Sequence, residues 1–416
     1  MDVFLNTSIV LGGGKMIDTG NLAWMITASA LVLLMTPGLA FFYGGLVRAK
    51  NIVNTMMFSF ISMGLATIVW VLWGYSLAFS GEGAFIGNLE MFGLNSLDVN
   101  DGDAIIFVAF QGMFAIITPA LITGAFAERF KFSTYMVFLV LWLTFVYAPI
   151  CHWVWAEDGW LFKRGALDFA GGTVVHINAG IAAVAAAWLL GPRRNISSGV
   201  EPHNVPFVLL GAGLLWFGWF GFNAGSQLGS DARATMAFLV TNIAAGTALT
   251  VWVVLQYFKT GRFSAVGAAS GAVAGLVAIT PASGFVNPLG ALAIGAGAGA
   301  LCYGAVLLRT NLNLDDALEV FPVHGIGGIW GAIMTGVFAV EAIGGTKGLL
   351  EGNGSIILEQ IIAVVATLVY GFIVSIVILK VLDMVMGLRV SEFDEDTGTD
   401  LTSHGERGYV ADGADA

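Results

Sequence analysis

The residues most able to do chemistry in this sequence are two histidines, each with an acid eight positions upstream. Asp168 precedes His176 in LDFAGGTVVHINAG (167–180), and Asp316 precedes His324 in DALEVFPVHGIGG (316–328). Each histidine lies inside an apolar run of membrane-spanning length. A charged side chain at that depth costs ~2.5–3.5 kcal/mol on insertion scales, so ionisable groups there normally face a bundle interior or a pathway. Three readings are open. Each imidazole could simply be satisfied by a backbone carbonyl. The pair could ligate a metal, although no cysteine and no Glu-x-x-His pattern stands near to complete a ligand set. Or the pair could handle protons, since imidazole is the side chain whose charge changes near neutral pH. The matched placement in two parts of the chain favours the third, with one central site built by internal repetition.

Asp168 stands where an apolar helix should begin. An acid at that position accepts amide hydrogens and faces the positive end of the helix dipole, and a role in attracting a cation is compatible with that. Asp315 and Asp316 fit the same account before the second histidine segment.

Aromatic residues gather around glycine-rich backbone. Phe110 and Phe114, at i and i+4, share a helix face; His152, Trp153 and Trp155 close one apolar run, and Gly218–Ser226 (GWFGFNAGS) closes another. Trp155 and Ser226 fall at the outer ends of their spans. An indole face with a hydroxyl beside it suits a small cation, at ~0.5–2 kcal/mol for the cation–π contact.

The elements that must position these residues are helices in a bilayer. Of 416 residues 57% are hydrophobic and 11% charged, with a mean hydropathy of +0.85, where a soluble chain carries about a quarter charged. Spans of ~20 apolar residues are expected near 22–43, 55–79, 104–126, 133–155, 171–190, 206–226, 235–258, 264–281, 288–308, 321–340 and 356–384. The eighth is the weakest, interrupted by Gly271, Gly275 and Pro281. The 56 glycines suit close helix approach in lipid. Cys151 and Cys302 form no redox or metal motif, no basic nucleic-acid footprint exists, and the N-terminal segment lacks the basic start of a signal peptide.

Loop charge sets orientation. With the N-terminus outside, inner loops carry Arg48, Lys50, Arg129, Lys131, Arg193, Arg194, Lys259, Arg262 and Arg309, against Lys163, Arg164, Arg233 and Lys347 outside. Five acids and no base occupy 80–103, as suits an outer loop. Eleven spans with the N-terminus out make spans one to five and six to ten an inverted pair, with a histidine in the last member of each. The eleventh, about 29 residues, should tilt across the bundle. Eight of the 28 acids follow Val390, and that segment should be a mobile cytoplasmic tail.

LDFAGGTVVHINAG, GWFGFNAGS, PGLAFFYGGLVRAKN, AFQGMFA and GLRVSEFDEDTGTDLTSHGE together resemble the Amt/Mep/Rh ammonium transporter family, in its Amt branch, along nearly the whole chain. The resemblance implies an all-α membrane domain over 1–388, with eleven helices in two inverted halves, and a cytoplasmic regulatory tail over 389–416. It implies a homotrimer in the cell membrane with a pore in each subunit, and no enzyme activity, metal or cofactor. Trp155, Phe110, Phe114 and Ser226 would recruit ammonium, or its analogue methylammonium, supported by Asp168. Phe114 and Phe222 would gate the pore, and His176 and His324 would line it. A PII-type signalling protein (GlnK) would dock on the cytoplasmic face. One departure lies beside the recruitment site, where Ala156-Glu157-Asp158-Gly159 replaces a glycine run.

The implied transport is net movement of ammonium, with ammonia crossing an apolar lumen and the proton relayed separately. Two other functions remain open: a sensor that reads ammonium to a cytoplasmic partner with little flux, and a membrane-embedded metalloenzyme.

Overall fold

The computed structural model describes residues 18–194, 196, 200–309 and 314–409. The N-terminal segment read above for a signal peptide, and the tail beyond Tyr409, lie outside the described residues.

Within lipid every amide and carbonyl must find a partner inside its own segment, and helices do this. Among the described residues there are eleven apolar ones: α1 (Thr19–Leu46), α2 (Ala49–Phe79), α3 (Gly102–Phe126), α4 (Phe132–Trp142, Leu143–Tyr147 and Ala148–Trp155 run together), α5 (Gly172–Leu190), α6 (Val205–Gly225), α7 (Ala232–Thr260), α8 (Ala265–Ile279), α9 (Pro288–Arg309), α10 (Phe321–Phe338) and α11 (Ser355–Met386). Ten have the length and apolarity to cross a membrane; α8, with 15 residues, is the short one. That is the span whose glycines and Pro281 weakened its pattern, and its chain leaves the helix in a buried turn at Thr280–Gly284.

Helix starts are marked by short polar side chains that accept otherwise orphaned amides. Asp18 opens α1, Asp101 opens α3, Asn204 opens α6, Asp231 opens α7 and Ser264 opens α8. Glycines then let the helices touch. A Cβ on Gly211 would lie 2.2 Å from the Phe42 amide nitrogen, and one on Gly218 2.2 Å from Met35, so α6 lies directly against α1. On the other side, Cβ atoms at Gly275 and Gly295 would fall 2.4 and 2.5 Å from the Ala244 carbonyl, which draws α8 and α9 onto α7. The contact that matters most for function joins α5 to α10. A Cβ on Gly180 would come within 2.5 Å of Gly325, so the two histidine helices cross with backbone against backbone.

The 32 residues of α11 span ~48 Å at 1.5 Å each, against a hydrocarbon core of ~30 Å, which requires a strong tilt. It lies across α4, α5 and α10. Ser375 accepts from the Trp142 indole at 3.0 Å, and Gln360 donates to the carbonyls of Leu167 and Ala332. Its far face is a stripe of exposed Leu358, Ile361, Val365, Val369, Ile373 and Val377, suited to lipid.

The described part of the acidic tail is folded onto the bundle, where low apolar content suggested a mobile segment. The physical reason is charge pairing and backbone capping in place of apolar burial. Residues 388–390 pair antiparallel with Arg129–Lys131: Lys131 N donates to Leu388 O at 2.8 Å, and Val390 N to Arg129 O at 3.0 Å. Ser391 and Asp394 cap each other's backbone to start a short helix, α12 (Glu392–Thr397). The buried Glu395 carboxylate takes the Arg389 guanidinium at 2.8 Å and the Arg194 amide at 2.6 Å, while Arg194 reaches Glu392 and Asp396. Asp400 then caps Asn54, and Thr399 donates to Asn51 at the head of α2. The tail therefore touches the loops that follow α1, α3 and α5, which places those loops on one face.

Candidate functional site

The site forms on the axis between the two halves. Asp168 sets its outer wall. Gly171, at φ 114°, turns the chain so that the Asp168 carboxylate sits over the first turn of α5. Oδ1 accepts the amides of Gly171 and Gly172 at 2.8 and 2.6 Å. Oδ2 accepts the amides of Thr173 and Val174 at 2.8 and 3.3 Å, together with the Thr173 hydroxyl. Both oxygens are committed to backbone, so Asp168 shapes the site without an oxygen left to offer a ligand. The Asp168 carbonyl in turn accepts the Trp155 indole at 3.0 Å, which fixes that ring at the rim.

Beneath the rim the aromatic rings line up. Phe110 and Phe114 meet edge to face at 5.0 Å between centroids, and Phe114 meets Trp155 at 5.6 Å and 84°. Gly225 abuts the Phe110 ring, since a Cβ there would lie 2.8 Å from it, and this brings the end of α6 and Ser226 to the same rim. The Ser226 hydroxyl donates to the Phe222 carbonyl at 2.8 Å, leaving its lone pairs free to accept. Phe114 and Phe222 are then in contact at 4.4 Å, both fully buried. The sequence-predicted recruitment and gate residues thus fall into one column. The Ala156–Gly159 departure stands beside it: Glu157 points to solvent and Asp158 pairs with Lys163 at 2.7 Å.

Below the phenyl pair come the histidines. His176 stacks on Phe222 at 5.9 Å and on His324 at 5.3 Å, with ring planes within 24°. The two Nδ1 atoms are 3.2 Å apart. One must carry hydrogen and the other a lone pair, so the imidazoles share a single proton along that line. His176 Nε2 has no partner among the described residues, and both imidazoles line an apolar cavity of about 10 Å³, room for roughly one water-sized molecule. The cavity walls include Met35, Leu39, Ile117, Leu121, Leu215 and Val273.

Both histidines lie where their helices widen to i→i+5 bonding, at Gly172–Ile177 and Phe321–Ile326. Such widenings recur at functional sites because the extra residue re-aims a side chain. Sequence reasoning missed Trp219, which stacks on His176 at 5.4 Å and is anchored by donating to Thr280 at 2.8 Å. It stands inside the quoted GWFGFNAGS run, but nothing in its spacing told a pore wall from packing. The lining leucines, valines and methionine left no signal of any kind. Among the described residues no three His, Cys, Asp or Glu side chains converge as a metal site would need.

The geometry is thus a column of aromatic rings, a paired imidazole and a small apolar cavity. A profile of the Ammonium Transporter Family matches residues 23–409. An ammonium transporter of Aquifex aeolicus (strain VF5) is 50% identical over 401 residues, covering 94% of each chain. The crystal structure of Saccharomyces cerevisiae Mep2 superposes with a TM-score of 0.84 at 38% identity, over 91% of this chain and 92% of that one. A sensor Amt protein gives 0.87 at 30% identity, over 93% and 98%. With both sequence and fold matched along almost its full length, the chain is a membrane transport protein, not an enzyme, and belongs to the Ammonium Transporter Family.

Proposed function

We propose that the protein recruits ammonium at the Phe110–Phe114–Trp155–Ser226 rim, removes its proton there, and passes ammonia between Phe114 and Phe222 along His176 and His324, the proton following a separate route. The observation that carries this reading is the imidazole pair, with Nδ1 atoms 3.2 Å apart under a phenyl gate. Potassium and ammonium are alike in size and charge, so a polar filter would pass both. A dry lumen refuses either ion, because stripping its water costs several kcal/mol and a ring face returns only ~0.5–2 kcal/mol. Ammonium alone can shed a proton and cross neutral.

The shared hydrogen gives the pair a direction. If His324 donates from Nδ1, His176 presents Nε2–H to the cavity and His324 presents a bare Nε2; the opposite tautomers reverse this. A proton accepted at one Nε2 can cross the Nδ1 line and leave from the other. Replacing either histidine by Ala is expected to cut ammonium-driven current in vesicles by about 10²-fold, the scale of a positioned acid–base group. The double variant should be no worse, because a broken relay breaks once. Full current, still blind to potassium, in both single variants would return these residues to mere packing.

In this reading residues 1–388 are the transport domain of a multi-pass cell-membrane protein with its N-terminus outside. The tail from 389 is a cytoplasmic regulatory element, and three subunits assemble. Lys50 and Arg194, both partly exposed, support docking of a PII-type protein such as GlnK on the tail-bearing face, whereas Arg193 and Arg48 of the same basic loops are committed to Asp315 and Glu128. Native mass spectra of the purified protein, alone and with PII protein under each nucleotide condition, test both assemblies; a monomer alone, or no complex in any condition, sinks the corresponding one. The folded tail and the likeness to a sensor Amt protein also favour a second reading, an ammonium sensor with little flux. Currents indistinguishable from empty vesicles at saturating ammonium or methylammonium would select it.

A further inference from the structure

The two halves resemble each other at their histidine segments but differ in how fully the upstream acid is satisfied. Asp168 and Asp316 each have a left-handed residue three positions on, Gly171 at φ 114° and Glu319 at φ 62°. Each caps the head of a widened helix that carries its histidine. Asp168 has both oxygens filled, as described above. Asp316 is fully buried, and its Oδ2 accepts the Phe321 amide at 2.7 Å, but its Oδ1 meets no donor among the described residues.

Its neighbours of like charge are occupied. Asp315 is bound by Arg193 through both oxygens, at 2.9 Å each, with Arg129 at 3.8 Å. Glu319 is bound twice by Arg309, at 2.7 and 2.5 Å. Asp316 is thus the acid of this cluster with an acceptor to spare. Burial raises its carboxyl above the ordinary range, against the pull of the Phe321 and Val320 amides and of Arg309 and Arg129. A cation at Oδ1 would supply the missing counter-charge.

The position suits such a ligand. Leu318 N and Ala317 N donate to the carbonyls of Gly124 and Ala125, strapping the segment to the end of α3. Tyr43 donates to the Leu121 carbonyl, and Leu121 and Phe42 line the cavity under the histidines. Asp316 therefore lies at the end of α3 that leads into the tail-bearing face, and Asp168 lies at the opposite end of the bundle.

We propose that Asp316 Oδ1 is the acceptor of a second ammonium site, at the tail-side end of the pathway and distinct from the aromatic rim. It holds the ion by N–H···O contact with a carboxylate, where the rim uses ring faces and a hydroxyl. The inference rests on the transport reading, and two measurements keep their failures apart. In oriented membrane vesicles, Asp316→Ser keeps a hydroxyl that caps the helix while removing the charge and the spare oxygen. The half-saturating ammonium concentration at the tail-side face is expected to rise at least about tenfold, with the opposite face unchanged, since removing a charge-assisted contact costs more than about one factor of ten. No change at either face, or equal loss at both, overturns the site. Absence of wild-type current from both faces would instead strike the transport reading. In that event, or if the variant fails to fold, crystals of the wild-type protein soaked in thallous ion decide: an anomalous peak in contact with Oδ1 supports the site, and none there overturns it.

Discussion

At the residue scale the proposed gate rests on Phe114 and Phe222. Their rings touch at 4.4 Å, and each is also held by a second aromatic, Trp155 above and His176 below. Removing both side chains should lower stability by about 3–5 kcal/mol per ring at most, the range for deleting a buried Phe ring. The larger effect is on selectivity. Phe114→Ala/Phe222→Ala vesicles are expected to leak potassium or to lose coupling between ammonium jumps and current. Unchanged rate and selectivity in a folded double variant would show that the phenyl pair is not the gate. His176 beneath them is held by stacking between Trp219, Phe222 and His324 and by the Nδ1 hydrogen bond to His324, and its Nε2 has no partner among the described residues.

Among the elements, the crossing of α5 and α10 sets the distance between the imidazoles. The helices reach it only because Gly180 faces Gly325. A methyl group at 2.5 Å from backbone cannot be absorbed by a rotamer change, so Gly180→Ala should cost about 1–3 kcal/mol and spread the helices. The expected readings are a lower melting temperature and a large loss of ammonium current from a protein that keeps both histidines. Gly64 in α2 is the control, since nothing lies within 4 Å of its added Cβ. Ala there should be neutral or slightly stabilising, by up to about 1 kcal/mol from helix propensity. If Gly180→Ala melts and transports like wild type, the crossing is not what positions the pair.

For the whole molecule, the tail-bearing face is held by charge. Burial pushes the Asp315 and Glu128 carboxyls up, but hydrogen bonds from Arg193 to the first and Arg48 to the second pull both below their ordinary values of 3.8 and 4.5. A depressed folded value means stability that is fully present above the unfolded value and lost as pH falls through the folded one. Thermal stability should therefore be flat from neutral pH down to about 5 as far as these groups decide it, and fall below about 4. Asp315→Asn leaves Arg193 and Arg129 facing each other without their carboxylate, and should cost about 3–5 kcal/mol at neutral pH while flattening the acid limb. A melting curve of that variant that coincides with wild type from pH 7 down to 4 would remove the cluster from the account of stability.

What the sequence determined by itself is what composition and period can express. Apolar length set the number and order of the helices, and loop charge grouped the loops after α1, α3 and α5, the same three that the tail joins. The repeated acid-to-histidine interval marked the centre, since an ionisable residue in an apolar run is conspicuous wherever it falls. Tertiary structure decided what depends on approach between segments far apart in the chain. His176 and His324 share a proton only because two glycines let their helices touch. Trp219 and the aliphatic residues line a cavity only through their tertiary placement, since leucine beside a cavity reads like leucine in a core. Asp168 and Asp316 look identical in sequence, yet one is saturated by its own helix and the other keeps an open oxygen. The tail showed too little apolar content to predict docking, because arginines and amides from three distant loops hold it in place, and such partners come together only once the bundle has formed.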